Sequence, residues 1–364
     1  MKNIFIISLV SGAFFFGMIT MNLVLQYSSS QNPVDKLVRL VDGFLVSRAL
    51  YVIAELQIAD ELVNGPKTAY EIANNLNLDG DAVFRLLRML VSHGVFIQKD
   101  DKFALNDLAE LITIGHSQSM HGFLLHEDST RWNSYAHMSY SIKTGKPTFN
   151  HLYGCGYFDF IARDKEKSEQ FDRGMATFSD TENKQVSSHF DFTSFPVVVD
   201  VGGGVGGLIA QILDKNENIK GVLYELPHLE EMADNYFVEH DLVNRTKVVT
   251  GSFLENVVSG GDLYLLKRIL HDWNDEICVR ILQNCAAVMH DDSEIVVFDC
   301  IVPDDSKYDI SKDIDVIMMV VFGGKERTEK DFEKLFAAAG LQINKISSIP
   351  GTMLSSIEGS KKKI

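Results

Sequence analysis

Residues 197–207 read VVVDVGGGVGG. A run of β-branched residues passes directly into glycines and then into LIAQIL (208–213), which spells strand, tight turn and helix in succession. A glycine turn lets a ligand approach the backbone beyond the carboxyl end of a strand, where open α/β sheets bind their ligands. Working outward, apolar runs recur as GVLYEL (221–226), TKVVTG (246–251), DLYLLK (262–267) and EIVVFDC (294–300), separated by helical stretches. That alternation predicts an α/β unit with a parallel sheet covered on both faces. The tail LQINKISSIPGTMLSSIEG (341–359) predicts two more strands joined at Pro350 and Gly351, an antiparallel hairpin at one edge.

The glycine turn admits two ligands. Gly202, Gly204 and Gly207 satisfy G-x-G-x-x-G, and Glu225 ends the next strand about twenty residues on, so a nicotinamide-dependent dehydrogenase is one reading. Asp200 argues against it, because its carboxylate stands at the entry to the turn, where a pyrophosphate would bring two negative charges. A cationic ligand suits that position. S-adenosylmethionine carries a sulfonium and an ammonium but no phosphate, and Glu225 can accept hydrogen bonds from its ribose hydroxyls.

Composition sets the outer limits. The chain has 364 residues, 46% of them hydrophobic and 23% charged, enough for two globular domains. A formal charge of −16 argues against general affinity for nucleic acid or for an anionic membrane surface, since both depend on Lys and Arg. Cys155, Cys278, Cys285 and Cys300 form no CxxC pair, so they are expected as reduced thiols, with no metal site among them. Residues 1–30, MKNIFIISLVSGAFFFGMITMNLVLQYSSS, are the exception, and three readings stand: a transmembrane anchor, a signal peptide, or a start of translation at Met21. Whether the segment is an anchor or an artefact of the start site, a cytosolic cofactor predicts a cytoplasmic catalytic domain, either free or held at the membrane by this segment.

Residues 33–115 predict a winged helix. VDKLVRLVDGFLVSRALYVIAEL (34–56) has the spacing of an amphipathic or largely buried helix, and Thr68 and Glu71 have the spacing of a capping box. The second helix of the motif offers only Arg85 and Arg88, and the wing sets Asp100 and Asp101 beside Lys99 and Lys102. That is too little positive charge for a winged-helix regulator that grips DNA, so dimerisation is the expectation. Residues 116–190 predict a helical connector rich in aromatic side chains, suited to a substrate wall. Residues 191–364 complete the catalytic domain.

Within LLKRILHDWNDE (265–276) stands His271, directly after a buried strand. Beside an apolar run a histidine is often structural, but methyl transfer to a hydroxyl requires something to take the proton, and an imidazole does so near neutral pH. Asp272 and Asp275 are expected to set the field of His271 or cap the next helix, and Trp273 to join the core. His116, His121 and His126 recur at five-residue steps, which is not the spacing of a helical metal pair, so they are expected at the surface or in a pocket.

VVVDVGGGVGG, LYELPHL (223–229), LYLLKRILHDWNDE, VFDCIVPDD (297–305) and GGKERTEKDF (323–332), in this order, resemble the caffeate and acetylserotonin type O-methyltransferases and their bacterial small-molecule relatives. The likeness runs from about Pro33 to the C-terminus. It implies a class I methyltransferase fold, a Rossmann-like sheet with an antiparallel C-terminal hairpin, preceded by a winged-helix dimerisation domain. It further implies a homodimer, no metal, and a hydroxylated aromatic or polyene acceptor held by a connector such as SIKTGKPTFNHLYGCGYFDFIARD (141–164). By the same resemblance His271 is the base and Glu326 and Asp299 flank it, Asp299 being one methylene shorter than the usual glutamate. Glu225 takes the ribose position, and Phe253 and Lys267 border the cofactor. Ser252 stands where the family has an aspartate that accepts from the adenine amino group, and Met175, Phe178 and Trp132 fall to the acceptor pocket. The departures at Ser252 and Asp299 leave open a degenerate member that binds cofactor without transferring methyl groups.

Overall fold

The computed structural model describes residues 32–362, apart from the side chains of residues 165, 166, 168–173 and 176–178 within one long helix. The leader 1–30 lies outside the described residues. The expectation of a transmembrane segment finds no support among the described residues, where no helix is long and apolar enough to cross a membrane. The chain divides after Thr113 into two compact units.

The first unit opens with helix α1 (Pro33–Glu55), whose N-cap Asn32 accepts from the Val34 amide. Helix α2 (Ala69–Leu76) follows strand β1 (Lys67–Thr68) and starts on the capping box, where Thr68 and Glu71 satisfy each other's amides. Helix α3 (Gly80–Ser92) and the wing strands β2 (Ile97–Lys99) and β3 (Lys102–Ala104) complete the motif, in sheet order β1-β3-β2. Ile53, Ile58, Ile72, Leu87, Leu90 and Phe103 fill the core between them. Only the last turns of α1 reach that core. Its first four turns carry Leu37, Val38, Leu40, Val41, Phe44 and Leu45 at 48–70% exposure, so within one chain α1 is not the buried helix its pattern suggests. The short helix α4 (Asp107–Glu110), capped by Asn106, closes the unit.

The second unit begins with short helices α5 (His121–His126), α6 (Ser129–Ala136), α7 (Ser139–Thr144), α8 (Thr148–Tyr153) and α9 (Tyr157–Ile161). The long α10 (Lys165–His189) then leads to the sheet. Strands β4 (Val197–Val201), β5 (Lys220–Glu225), β6 (Thr246–Thr250), β7 (Leu263–Lys267) and β8 (Glu294–Cys300) are mutually parallel, and β9 (Leu341–Ser348) and β10 (Leu354–Lys361) form the hairpin. The order is β6-β5-β4-β7-β8-β10-β9, with β10 antiparallel to both neighbours. Helices α11 (Gly207–Lys215), α12 (Glu230–Glu239), α13 (Asp275–Val288), α14 (Ile310–Ile317) and α15 (Glu329–Ala338) complete the unit. Successive side chains of a strand point to opposite faces, so β4 gives Val199 and Val201 to one core and Val198 to the other. The first core holds Leu282 and Phe336, the second Leu208 and Phe237. Loops therefore emerge together at the carboxyl ends of β4, β5, β7 and β8.

Candidate active site

The glycine turn forms one wall of that edge. Gly202 has φ +77°, and a Cβ there would stand 2.7 Å from Ile269 and 3.2 Å from the Phe253 ring, so only glycine fits. Glu225, at the end of β5, is buried and braces the turn: Oε2 accepts from the Gly204 amide at 3.1 Å and Oε1 from the Leu226 amide at 2.8 Å. Each oxygen keeps a lone pair for a further donor, which is what a ribose diol requires. Burial raises the Glu225 carboxyl above its ordinary range, against the two amide bonds.

Asp200 is 1% exposed and its Oδ2 has no hydrogen-bond partner. Burial pushes its carboxyl up to about 7, with Lys267 opposing and Glu225 adding to the shift. A buried acid with an unmet oxygen beside a second acid favours a cation and disfavours a pyrophosphate, so these residues fit S-adenosylmethionine. Lys267 ends β7 with Nζ donating to Ser179 Oγ at 2.5 Å and lying 3.7 Å from Glu182 Oε2, and burial lowers its pKa. Next to it Arg268 takes a left-handed backbone, φ +58°, and donates to both Glu182 oxygens at 2.5 and 3.3 Å. Thus α10 fastens the end of β7. Asn183, one residue further along α10, is 5% exposed, with its Oδ1 unpartnered and its Nδ2 3.1 Å from where a Cβ on Gly207 would stand.

Beyond β6 the backbone places Ser252 and Phe253 at the same edge. Ser252 Oγ accepts only weakly from the Leu254 amide, at 3.3 Å, and the Phe253 ring meets Trp273 edge-on with centroids 6.1 Å apart. Trp273 is half-buried against the first core.

His271 lies in a single 3-10 turn, Leu270–Asp272, that follows β7. Its Nδ1 is 2.8 Å from Glu326 Oε1, and its Nε2 is 3.7 Å from Asp272 Oδ1. Because a carboxylate accepts only, Nδ1 carries a hydrogen, and in the neutral ring Nε2 is the basic nitrogen. Burial by itself would lower the imidazole pKa, but Asp272, the Glu326 hydrogen bond and Asp299 outweigh it and raise it to about 9. Asp299, on β8, is 1% exposed, and neither of its oxygens has a hydrogen-bond partner, so it acts on His271 through its charge and not through a direct bond. Burial pushes Asp299 up to about 7, with His271 opposing and Glu326 adding. Asp275 does not cap α13; Asn274 does, accepting from the Ile277 amide.

The segment GGKERT runs across this turn. A side chain on Gly324 would collide with the His271 carbonyl oxygen and with Asp272, and the Lys325 amide donates to that carbonyl at 2.8 Å. The Glu326 amide is held by Asp315 at 2.9 Å. Upstream, a one-turn π-helix, Met318–Phe322, presents Phe322 to Tyr157 and Phe158, with ring centroids at 5.0 and 5.5 Å. Phe149, Tyr153 and Phe160 extend that aromatic wall, with centroid separations of 4.6–5.4 Å.

Of the remaining pocket candidates, Met175 is half-buried on α10, and the Phe178 side chain lies outside the described residues. Trp132, on α6, meets Tyr135 edge-on at 6.4 Å, and its Nε1 is buried without a partner. His116 and His121 are half-buried, but His126 is a core residue, placed between Arg131 at 2.7 Å and Tyr157 at 2.6 Å. Burial and Arg131 lower its pKa to about 2, so it stays neutral. The arginine can only donate, so Nδ1 of His126 accepts and Nε2 donates to Tyr157. Sequence reading missed Glu182, Asn183 and Asp315, which carry no local signal, and Arg327, which lay inside a quoted motif.

Residues 135–342 match the model of the O-methyltransferase domain, and residues 38–114 match that of the O-methyltransferase dimerisation domain. The chain belongs to this O-methyltransferase family. It is 30% identical over 311 residues to a phenazine O-methyltransferase of Lysobacter antibioticus, covering 85% of this chain and 91% of that protein. Among solved structures it resembles CalO1, a methyltransferase of calicheamicin biosynthesis in its S-adenosylhomocysteine-bound form, at 30% identity and TM-score 0.81, covering 92% and 100% of the two chains. It also resembles NcsB1, an O-methyltransferase of neocarzinostatin biosynthesis solved with S-adenosylmethionine and 2-hydroxy-5-methyl naphthoic acid, at 28% identity and TM-score 0.76, covering 87% and 96%. The enzyme is an S-adenosylmethionine-dependent O-methyltransferase of class I fold with an N-terminal dimerisation domain.

Proposed function

We propose that the enzyme methylates a hydroxyl of a small aromatic acceptor, with His271 as the general base. The observation that carries the reading is the 2.8 Å bond from His271 Nδ1 to buried Glu326, which leaves Nε2 as the basic nitrogen. Phe158 and the half-buried Phe322, backed by the buried Phe149 and Tyr157, support a flat, apolar acceptor, since aromatic rings pack best against other rings. The acceptors named for the phenazine and naphthoate relatives are of that kind.

Asp200, Glu225 and the Gly202–Gly204 turn would hold S-adenosylmethionine, with Phe253, Ser252 and Lys267 at its border. Bound there, the cofactor supplies a methyl group on a positively charged sulfur. In its neutral form, which gains population as pH rises toward about 9, His271 takes the hydroxyl proton at Nε2, and the resulting imidazolium is stabilised by Glu326 on one side and Asp272 and Asp299 on the other. Holding the acceptor against the aromatic wall supplies proximity, a contribution of roughly 7–11 kcal/mol in well-oriented reactions, and the base adds roughly a hundredfold to ten-thousandfold in rate. The apolar face of α1 supports a homodimer formed through the first unit. Transfer of labelled methyl from S-adenosylmethionine to a panel of hydroxybenzoates, hydroxynaphthoates and hydroxyphenazines tests the reading. It expects at least one acceptor methylated on oxygen and fails if only non-aromatic hydroxyls react.

A further inference from the structure

Arg327 is, among the described residues, the largest side chain that is fully buried, at 1% exposure. An arginine has five N–H donors, and all five are spent, four of them on residues 270–275 around His271. Nη1 donates to the Leu270 carbonyl at 2.8 Å and to the Lys325 carbonyl at 3.2 Å. Nη2 donates to the Trp273 carbonyl at 2.7 Å, and Nη2 and Nε share Asp275 Oδ1 at 2.8 and 3.0 Å. The guanidinium therefore bridges the turn from the residue before the histidine to the residues after it. Its own backbone is fixed in turn, since Arg327 pairs with Ile301 and its carbonyl accepts from the Val302 amide at 2.9 Å, just past the strand that carries Asp299. Asp275 is largely solvated, with 61% of its side chain exposed, so a simple surface ion pair would not require a buried arginine.

We infer that Arg327 is a positioning residue for methyl transfer: it clamps the Leu270–Asp275 turn so that the His271 ring meets Glu326. The inference rests on His271 as the base. Two adjacent residues then divide the task, Glu326 holding the ring and Arg327 holding the peptide that carries it. Lysine cannot replace the planar fork, because one ammonium cannot span the three carbonyls and the carboxylate.

The test is the titration of the His271 ring, followed by NMR in the full chain with labelled histidine and assigned with His271→Gln. In the unaltered protein the transition is expected near the raised value of about 9. Arg327→Lys keeps the charge and loses the fork, and it should bring the midpoint down by more than one pH unit toward the ordinary 6.5. Arg327→Ala should lower it further, and guanidinium ion at tens of millimolar should restore it. A bystander charge predicts the opposite sign, since removing a neighbouring cation raises an imidazole pKa. A midpoint that stays put in the lysine variant, or rises in the alanine variant, overturns the inference. Where the alanine variant does not fold, the lysine variant decides. The result does not depend on any acceptor, so it is distinct from a failure of His271 to act as base, which turnover of His271→Ala reveals.

Discussion

Helix α1 carries Leu37, Val41 and Phe44 to the surface, whereas the second unit carries Asp200 and Asp299, near the ends of β4 and β8, and Glu326, in the GGKERT segment, into the interior. Both regions invert the usual distribution of residues, and each reads as half of an interaction. They differ in what completes them. An apolar face is satisfied by any matching apolar face, and its energy grows with area and responds little to pH. Buried carboxylates with unmet oxygens are satisfied by a cation or a proton, so they respond to pH strongly. The first region should therefore set assembly, and the second chemistry.

The comparison is broken most severely at the base. His271→Ala should lower kcat by roughly two to four orders of magnitude on an acceptor whose hydroxyl is protonated at assay pH, with S-adenosylhomocysteine affinity changed no more than a few-fold. Steady-state kinetics and calorimetry on the same preparation check both halves. Equal losses for acidic and non-acidic acceptors would instead mark a structural histidine. On the opposite region, Val41→Asp with Phe44→Asp should weaken self-association by about a hundredfold or more, since two acids would have to be buried unpaired. Sedimentation velocity reads the outcome, and an unchanged dimer would place the interface elsewhere.

Smaller effects sharpen the contrast. Glu326→Gln keeps the proton acceptor but weakens its orientation, so a loss of about tenfold in kcat is expected, less than that of the alanine at 271. Next comes pH. The Asp200 carboxyl, raised to about 7 by burial, must ionise before it can attract a cation. Affinity for S-adenosylmethionine should therefore tighten by about tenfold from pH 6 to pH 8, and Asp200→Asn should flatten that slope. The sign is reversed for the stability of the ligand-free protein. An acid whose folded value is raised contributes stability below its unfolded value near 3.8 and loses it as pH rises toward 7, and His271, raised to about 9, loses its share between 6.5 and 9. Thermal midpoints should thus fall from pH 5 to pH 9 without ligand. Smallest is Ser252→Asp, which turns a neutral acceptor into a charged one and should tighten cofactor binding by about 1 kcal/mol, roughly fivefold. Calorimetry that finds no change would show the adenine held by other groups.

What was legible in the sequence follows from range. Strand β4, the glycine turn and the hairpin at Pro350 are written in neighbouring residues, and so is the capping box at Thr68. The face of α1 was not, because apolar spacing looks the same whether it meets its own chain or another. His126 was placed at the surface or in a pocket on its spacing alone; its burial is decided by Arg131 and Tyr157, the latter 31 residues away. The bonds of Glu182 to the end of β7 span 86 residues, and no local pattern announces them. The place of His271 just after β7 was legible through its motif, but its raised pKa depends, besides burial and the adjacent Asp272, on Glu326 and Asp299, which only the fold brings near.

The placement of β10 has a consequence for how the protein is made. This strand, Leu354–Lys361, is the last in sequence order, yet it lies inside the sheet, paired with β8 on one side and β9 on the other. During synthesis β8 emerges well before the strand that will cover it, and β9 cannot join the sheet on its own. The edge of β8 then stays without its neighbour until Leu354–Lys361 has been made, an interval in which an open strand edge can capture another chain. The sheet is therefore complete only once β10 is available, and a nascent chain held short of Leu354 is the species expected to need chaperone protection.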